Sequence, residues 1–422
     1  MQVQCAVAGG GPAGMMLGVL LARAGVQVVV LEKHADFFRD FRGDTIHPST
    51  LEVMHELDIL EEFLKRPHQE VRQLTGRVAG QSVTIADFTH LPTHCKFLAL
   101  MPQWDFLDFL ADQARRFGTF DLRMETEVTD LIEEGGRIAG VRVKTPDGPQ
   151  EIRADLVVGA DGRHSVVRER AGMSIDSFGA PMDVLWMQIS RRADDPGQAL
   201  GYVEGGHILV MLDRGDYWQC AFVIPKGGFD DIRQRGIEAF RADVAAIVPF
   251  IRDRVGELRE WNDIKLLTVL VDRLRRWHRP GLLCIGDAAH AMSPIGGVGI
   301  NLAIQDAVAT ANILAGPLVR GTCSDADLER VQKRRELPTR LVQRAQVIAQ
   351  ERVIGPALSG KGPRQLPWPL KLLRRFPMLR RIPARLVGVG IRPEHVRTEN
   401  REPRTENREP RTENREPRTE NS

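Results

Sequence analysis

The stretch that decides the fold is Val3-Gln4-Cys5-Ala6-Val7-Ala8-Gly9-Gly10-Gly11-Pro12-Ala13-Gly14, near the start of the chain. Its apolar run predicts a short buried strand over residues 3–8, and the apolar residues that follow predict a helix over 12–24. A continuous β-branched run over 26–31 then predicts a second buried strand of a parallel sheet. We expect a βαβ unit with a glycine turn between its first strand and its helix.

Three glycines of this turn fit the spacing Gly-x-Gly-x-x-Gly: Gly9 permits a tight turn, Gly11 lets the backbone approach a pyrophosphate, and Gly14 lets the helix pack on the sheet. The helix N-terminus adds unpaired N–H groups and a partial positive charge. Glu32 ends the second strand, where a carboxylate accepts hydrogen bonds from ribose hydroxyls and repels a 2′-phosphate. The pattern predicts a dinucleotide site, and a plain strand–turn–helix is the alternative.

Length and composition exclude several classes of protein. The 422 residues suggest two or three domains, and a net charge of +2 gives no global field that would attract nucleic acid. Five dispersed cysteines without a CxxC pair exclude a disulfide scaffold and favour the cytoplasm. No basic stretch precedes the first apolar run, and no apolar run reaches ~18 residues, so neither a signal peptide nor a spanning helix is expected.

Two further strand-and-turn motifs lie far downstream. Leu156-Val157-Val158-Gly159-Ala160-Asp161-Gly162 is the first, and Leu283-Cys284-Ile285-Gly286-Asp287-Ala288-Ala289-His290 is the second, followed by Pro294-Ile295-Gly296-Gly297-Val298-Gly299-Ile300-Asn301. With these motifs the chain resembles the flavoprotein hydroxylases of the para-hydroxybenzoate hydroxylase family, in which the three motifs have this order and spacing. The resemblance covers about residues 1–350.

The resemblance implies an α/β fold: a Rossmann-like FAD/NAD(P)-binding parallel sheet, an inserted and mostly antiparallel substrate-domain sheet, and C-terminal helices. It implies an NAD(P)H-dependent FAD monooxygenase that uses O2, through a flavin C4a-hydroperoxide, to hydroxylate an aromatic, phenolic or polycyclic substrate. Two other functions stay open, an FAD-dependent reductase or dehydrogenase on the same scaffold and a non-catalytic flavin-binding module. No metal site is expected.

The resemblance also implies roles for single residues. Asp287 would accept hydrogen bonds from the ribityl chain or else cap a helix, and Asp161 would serve FAD and nicotinamide or else be a turn residue tied to Arg168. The helix that begins near Ile300 would direct its positive end to the flavin pyrimidine. Implied cofactor contacts are Gly9, Gly11, Pro12, Ala13, Gly14, Glu32, Lys33, Arg42, Gln103, Val128, Asp161, Gly162, Asp287, Gly297, Gly299, Ile300 and Asn301, and Pro294, Gly296 and Gly297 would contact the reacting flavin.

The strand patterns predict the domain organisation. Residues 1–75, 97–179 and 271–352 are assigned to the FAD-binding domain, 76–96 and 180–270 to the substrate domain, 353–396 to a basic, proline-rich segment and 397–422, a RTENREP repeat, to a disordered tail. Candidate substrate contacts are Trp186, Gln188, Tyr202, Met211, Trp218 and Phe222, with ordinary sheet packing as the alternative. With only two tyrosines in the chain, a tyrosine relay is not expected, which favours a larger apolar phenol.

The basic segment over 361–392 mixes apolar residues with arginines, and prolines break it into short pieces. It predicts either a weak membrane-surface contact or packing over the FAD domain, and we favour the packing. A monomer and a homodimer are both compatible with the sequence.

Overall fold

Apolar, β-branched strands build the larger sheet, which we call the main sheet. The computed structural model describes residues 1–38, 45–196, 200–361, 365–397 and 399. In spatial order the main sheet contains His278–Arg279, Leu282–Cys284, Gly148–Gly159, Gln2–Ala8, Val28–Leu31 and Phe120–Arg123. The neighbours from Leu282–Cys284 to Phe120–Arg123 are parallel, and Arg137–Thr145 and Glu127–Glu134 extend Gly148–Gly159 in antiparallel fashion. Val28–Leu31 is buried along its whole length, as a central parallel strand requires.

Helices pack around the main sheet. They are Pro12–Arg23, Pro48–Glu56, Leu60–Phe63, Gln103–Ala114, Val166–Arg170, Gly299–Val319 and Asp325–Ala349. A small sheet of Thr45–Ile46, Leu98–Leu100 and Gln69–Val71 lies beside them. Among the described residues, the segment Ile295–Val319 is long and apolar enough to cross a membrane, but 72% of its most apolar window is buried inside the protein, as in a core helix.

The second sheet is mostly antiparallel. Its order is Lys265–Leu267, Met182–Ser190, Tyr217–Pro225, His207–Asp213, Leu200–Glu204, Gln73–Val78 and Gln81–Asp87, and only Leu200–Glu204 and Gln73–Val78 pair in parallel. Helices Phe229–Gln234 and Ile237–Ile247 cover one face. Strands Ile175–Ser177 and Asp272–Leu274, which flank the second-sheet residues 182–267 in the chain, pair with each other as a two-stranded antiparallel ribbon.

The fold class predicted from the sequence is confirmed, with several differences in its parts. The helices Phe229–Gln234 and Ile237–Ile247 were not predicted, because the strand patterns over residues 180–270 indicate only a sheet. The helix expected to begin near Ile300 begins at Gly299 and continues past Gly316 and Pro317 to Val319. Strand Gln73–Val78 crosses the domain boundary placed after residue 75.

The C-terminal segment folds onto the second sheet. Helices Trp368–Arg375 and Arg381–Gly388, joined by the turn Pro377–Arg380, pack against the edge strand Gln81–Asp87. The expectation that this segment packs over the FAD-binding domain is therefore wrong for most of its length. Leu366 packs on Val78 and Val83 of the second sheet, and Ala384 lies between the second sheet and the small sheet. Only its end reaches the other half, where Gly388 lies beside Pro48. Of the repeat tail predicted to be disordered, residues 398 and 400–422 lie outside the described residues.

Candidate functional site

The three motifs meet at the carboxyl edge of the main sheet, where open α/β sheets bind ligands. The Ala160 N–H donates to the Ala8 carbonyl at 2.8 Å, and the Ile285 N–H donates to the Gly159 carbonyl at 2.9 Å. A Cβ on Gly286 would lie 3.1 Å from the Cβ of Ala13, so the Gly-Asp motif packs directly on the first helix. The strand ends thus bring residues from three distant parts of the chain to one place.

The glycines of the first turn differ in what constrains them. Gly9 has φ +105°, and a Cβ on Gly14 would lie 2.0 Å from the Gly9 carbonyl oxygen, so both are required by the protein itself. A Cβ on Gly11 would meet no atom within 4 Å. Helix Pro12–Arg23, which also contains Ala13, begins at this point without a side-chain cap. Its first N–H groups therefore face open space, as a phosphate site requires.

Glu32 stands at the end of Val28–Leu31 beside this turn. Its Oε2 accepts from the Gly10 N–H at 3.0 Å, and its Oε1 accepts from the His34 N–H at 3.1 Å. Gly10, which the sequence pattern did not single out, is needed because a Cβ there would lie 2.9 Å from the Cβ of Glu32. Lys33 is exposed, and Val128 is buried in Glu127–Glu134.

Asp161 carries an orphaned oxygen. Its Oδ2 accepts from the Val167 N–H at 3.1 Å, whereas its buried Oδ1 has no hydrogen-bond partner among the described residues. Burial raises the pKa of this carboxyl, although hydrogen bonds from the following turn oppose the shift. Arg168 bonds the carbonyls of Ala288 and Arg163 and not Asp161, so the alternative of a turn tied to Arg168 is not what the structure shows. An unmatched acceptor beside Gly162, at φ +86°, fits a missing hydroxyl or amide donor of a ligand.

Asp287 lies inside the short turn Gly286–Ala288 and is partly exposed. The alternative that it caps a helix is wrong, because Ile285 occupies that position and no side chain caps the turn. The guanidinium of Arg163 lies 3.4 Å from the Asp287 carboxylate and links the Asp-Gly and Gly-Asp motifs. Arg163 was not predicted from the sequence.

The loop after Pro294 is rich in glycine. Gly296 and Gly297 have φ of +79° and +62°, and a Cβ on Gly299 would meet nothing within 4 Å. Helix Gly299–Val319 begins here without a side-chain cap, with the half-buried Ile300 as its second residue. The loop therefore offers a flat surface and a positive helix end to the planar ring of a flavin.

Asn301 is committed to the protein and not to a ligand. Its Oδ1 accepts from the His47 N–H at 2.9 Å and from the Thr50 hydroxyl at 2.7 Å. Its Nδ2 donates to the Thr45 carbonyl at 3.2 Å and to the Gly297 carbonyl at 3.4 Å. All hydrogen-bonding positions of the Asn301 side chain are therefore used within the protein, and its amide positions the glycine loop. Only the backbone of Asn301 could make the expected contact with the cofactor.

His47, the residue before helix Pro48–Glu56, is fully buried behind this loop. Burial lowers its pKa to about 4, so the ring is neutral at physiological pH. Nδ1 lies 2.7 Å from the Val387 carbonyl, which can only accept, so Nδ1 carries the proton. The deprotonated Nε2 is buried without a partner among the described residues, 3.7 Å from where a Cβ of Gly297 would lie.

Buried amides of helix Asp325–Ala349 and of the residue just after it hold the Pro294 loop from behind. Gln346 donates to the carbonyls of Ser293 and Ile295, both at 2.9 Å, and Gln350 donates to the Ser293 hydroxyl at 2.8 Å. Gln343 donates to the Ala291 carbonyl at 3.1 Å. The sequence analysis missed these residues, although a row of glutamines at spacings of three and four was a visible signal.

Asp306 fixes the Gly-Asp turn in the same way. Its Oδ2 accepts from the Gly286 N–H at 3.1 Å and lies 2.5 Å from His290 Nε2, and Arg335 donates to its Oδ1 at 2.9 Å. Burial opposes ionisation, but His290 and Arg335 together hold the pKa of this carboxyl below its ordinary value. The turn that carries Asp287 is thus tied to two helices.

The candidate substrate residues divide between the faces of the second sheet. Trp186 and Gln188 point to the side on which Ile295 packs against Ile208 and Val223. The other candidates, Tyr202, Met211, Trp218 and Phe222, lie on the opposite face, packed against helix Ile237–Ile247. The expectation that these four line the substrate wall is therefore wrong, because the pleat directs them away from the cofactor loop.

Two candidates remain to be placed. Gln103 begins helix Gln103–Ala114, directly after a strand that pairs with Thr45–Ile46. Arg42 lies outside the described residues.

On the Ile295 side of the second sheet, the indole N–H of Trp186 is buried without a partner among the described residues.

Comparison with known proteins agrees with this geometry. The profile of a family described as FAD binding domain matches residues 2–345. The 6-methylpretetramide 4-monooxygenase of Streptomyces rimosus is 35% identical over 344 residues, which are 81% of this chain and 82% of that protein.

Solved structures show the same fold at lower identity. PqsL of Pseudomonas aeruginosa, a probable FAD-dependent monooxygenase, superposes with a TM-score of 0.71 at 22% identity over 86% of this chain and 99% of its own. The anhydrotetracycline hydroxylase OxyS of Streptomyces rimosus gives 0.72 at 24% identity over 93% and 77%. The orphaned Asp161 oxygen, the uncapped helix starts and the glycine loop fit FAD. The chain belongs to the FAD binding domain family and is an FAD-dependent aromatic monooxygenase that uses NAD(P)H as its reductant.

Proposed function

We propose that this enzyme hydroxylates a fused-ring phenol that binds between the Pro294 loop and the adjoining face of the second sheet. The observation that carries the proposal is the composition of that face. Val203, Ile208 and Val223 are aliphatic there, and Val210 and Ala221 continue this surface beside Trp186. Ile295 and the segment that contains Ile354 and Ala357 pack over part of it. A broad, uncharged wall next to a glycine-rich loop suits a flat polycycle better than a small charged ring.

The names of two relatives point the same way. One is a 6-methylpretetramide 4-monooxygenase and the other is an anhydrotetracycline hydroxylase, so both names denote oxidation of tetracycline-type compounds. The orphaned indole N–H of Trp186 would donate a hydrogen bond to a carbonyl or phenol oxygen of such a substrate. Tyr202 has no part in this proposal, because it lies on the opposite face and burial raises its pKa.

Bound FAD supplies the redox chemistry with NAD(P)H and O2. In our proposal the Gly11 turn and Glu32 bind its adenosine and pyrophosphate, and Asp161 and Asp287 accept hydrogen bonds from its hydroxyls. The uncapped start of helix Gly299–Val319 stabilises negative charge at the flavin edge. Among the described residues, the neutral Nε2 of His47 is an unpaired acceptor behind Gly297. The backbone over Pro294–Gly297 excludes water from the reacting atoms.

We also propose that the protein works in the cytoplasm, as a monomer or a homodimer. All five cysteines are free thiols, and four of them are buried. Burial raises the pKa of Cys95 to about 11 and that of Cys220 to about 12, so these thiols are unreactive at neutral pH.

The test uses the purified holoenzyme with single-ring phenols and with fused three- and four-ring phenols. We expect the fused-ring compounds to stimulate NAD(P)H oxidation at least about tenfold more than the single rings. The product should carry one added oxygen, labelled by ¹⁸O₂. Gly11→Ala without added FAD, whose FAD affinity should be about 100-fold lower, is the control for background oxidation. Stimulation by single rings alone contradicts the substrate class, and a product formed without oxygen contradicts the hydroxylation.

A further inference from the structure

The outer surface of residues 365–388, which we call the C-terminal face, is unusually apolar. It contains six of the fifteen large hydrophobic residues that are exposed in the described part of the chain. They are Trp368, Leu372, Phe376, Met378, Ile382 and Leu386, and Trp368 and Met378 are 75% and 71% exposed. An exposed apolar patch of this density marks an interaction surface.

The same face is strongly basic. Lys371, Arg374, Arg375, Arg380, Arg381 and Arg385 give it six positive charges, and no acidic residue occurs between 365 and 388. In the described structure none of these six forms an ion pair with a carboxylate. Arg374 bonds the Gln81 amide and Arg380 bonds the Leu373 carbonyl. Elsewhere arginines such as Arg254 and Arg335 are paired with carboxylates.

The face is held in place from its inner side. Leu366 packs with Val78 and Val83, and Ala384 packs with Phe88 and Leu91. The two short helices are therefore docked on the body of the protein, and their outer side chains are presented in a fixed arrangement. The exposure is a property of the folded surface and does not come from an unfolded terminus.

We propose that the C-terminal face docks on the surface of a lipid bilayer that contains anionic lipids. Trp368, Phe376, Met378 and Ile382 would enter the boundary between headgroups and acyl chains, while the arginines reach the phosphates. The positive charge of the face favours an anionic bilayer over a second copy of this chain, because two copies placed face to face would bring six cations against six more. The Val387 carbonyl, at the end of the face, bonds His47 behind the cofactor loop, so a docked bilayer adjoins the active-site region.

The test is a vesicle flotation assay with the full-length holoenzyme. We compare vesicles of phosphatidylcholine with vesicles that contain about one third phosphatidylglycerol. Binding to the anionic vesicles should be at least about tenfold stronger, and it should fall when the salt concentration is raised from about 0.05 M to about 0.5 M. Arg375→Gln/Arg381→Gln/Arg385→Gln and Trp368→Ser/Met378→Ser/Ile382→Ser should each reduce binding at least about tenfold.

The matched control is Leu337→Ser/Leu341→Ser, because these leucines are similarly exposed on helix Asp325–Ala349, outside the face. This variant should bind as the wild type does. Unchanged melting temperatures show that the variants fold. Absence of binding to anionic vesicles at low salt, or equal loss in the control, overturns the proposal. A wild-type dimer that the face variants convert to a monomer assigns the face to a second copy, and binding to poly-glutamate but not to vesicles assigns it to an acidic protein; either result also overturns it.

Discussion

The main-sheet half and the second-sheet half of this enzyme contribute to the site in different ways. The main-sheet half acts largely through backbone: glycine turns, helix starts and strand ends, all of which follow from motif and position. The second-sheet half acts through side chains, and each side chain faces the site or turns away according to the register of its strand. Trp186 and Trp218 look equivalent in the sequence but lie on opposite faces. Backbone function can therefore be recognised in a motif, whereas side-chain function on a sheet covered on both faces requires the structure.

The largest expected effect separates two glycines of the first turn. In Gly14→Ala the new Cβ would lie 2.0 Å from the Gly9 carbonyl oxygen, so FAD should be lost and stability should fall by about 2–3 kcal/mol. In Gly11→Ala the Cβ meets no protein atom and φ is −73°, so the FAD-free protein should melt no lower than the wild type. FAD affinity should still fall about 100-fold, because the methyl group occupies the place of the pyrophosphate.

Flavin fluorescence titration and calorimetry of the FAD-free proteins measure both quantities. Wild-type FAD affinity in Gly11→Ala would show that the pyrophosphate does not approach Gly11. The division between glycines required by the fold and a glycine required by the ligand would then be wrong.

A smaller effect tests whether the backbone surface depends on the amides behind it. Gln346→Leu removes the donor to the Ser293 and Ile295 carbonyls and leaves both without this partner. We expect kcat to fall about 10- to 100-fold because the loop is misplaced by a fraction of an ångström. Release of hydrogen peroxide should rise, while FAD remains bound. Arg344→Leu, an exposed neighbour on the same helix, should retain wild-type kcat and coupling; an equal loss in both variants would remove the special role of Gln346.

The two tryptophans sharpen the comparison directly. Trp186→Phe should lower kcat/KM for the aromatic substrate about tenfold at unchanged stability, because it removes the orphaned N–H. Trp218→Phe removes the hydrogen bond from its indole to Asp195 and should cost about 1–2 kcal/mol of stability at unchanged kcat/KM. Urea unfolding and steady-state kinetics of both variants give the answer. The reverse pattern would place the substrate on the helix-covered face.

The smallest expected effect is a loss of folding stability at low pH. The buried guanidinium of Arg254 holds the pKa of Asp195 far below its ordinary value of 3.8. As the pH falls, Asp195 therefore takes up a proton in the unfolded chain before it does so in the folded protein. Its contribution to the free energy of unfolding is complete above about pH 5 and declines below about pH 4. Between pH 5 and 3 Asp195 should account for about 1 kcal/mol of lost stability. Asp195→Asn should flatten the profile measured by urea unfolding, whereas Asp194→Asn, at the exposed neighbour, should not.

The parts of the site that the sequence could predict are the parts that depend on local backbone. The three motifs, Glu32 and the glycine loop lie together because parallel strands end at one edge of a sheet. His47, Arg163 and Gln346 were not predicted, since their roles depend on contacts across 50 or more residues that no local pattern encodes. Asn301 was placed correctly in the chain but assigned to the cofactor, because a sequence does not show that an amide is already saturated by Thr45, His47 and Thr50.

The glutamines behind the Pro294 loop lie in the last long helix and directly after it, and this has a consequence for biosynthesis. Gln346 and Gln350 leave the ribosome more than fifty residues after Ser293 and Ile295, to which they donate. A nascent chain can therefore complete its nucleotide-binding strands early, but the flavin-facing loop reaches its final form only after translation has passed residue 350. Chains that stop short of this point should accumulate as cofactor-poor proteins with an otherwise native sheet.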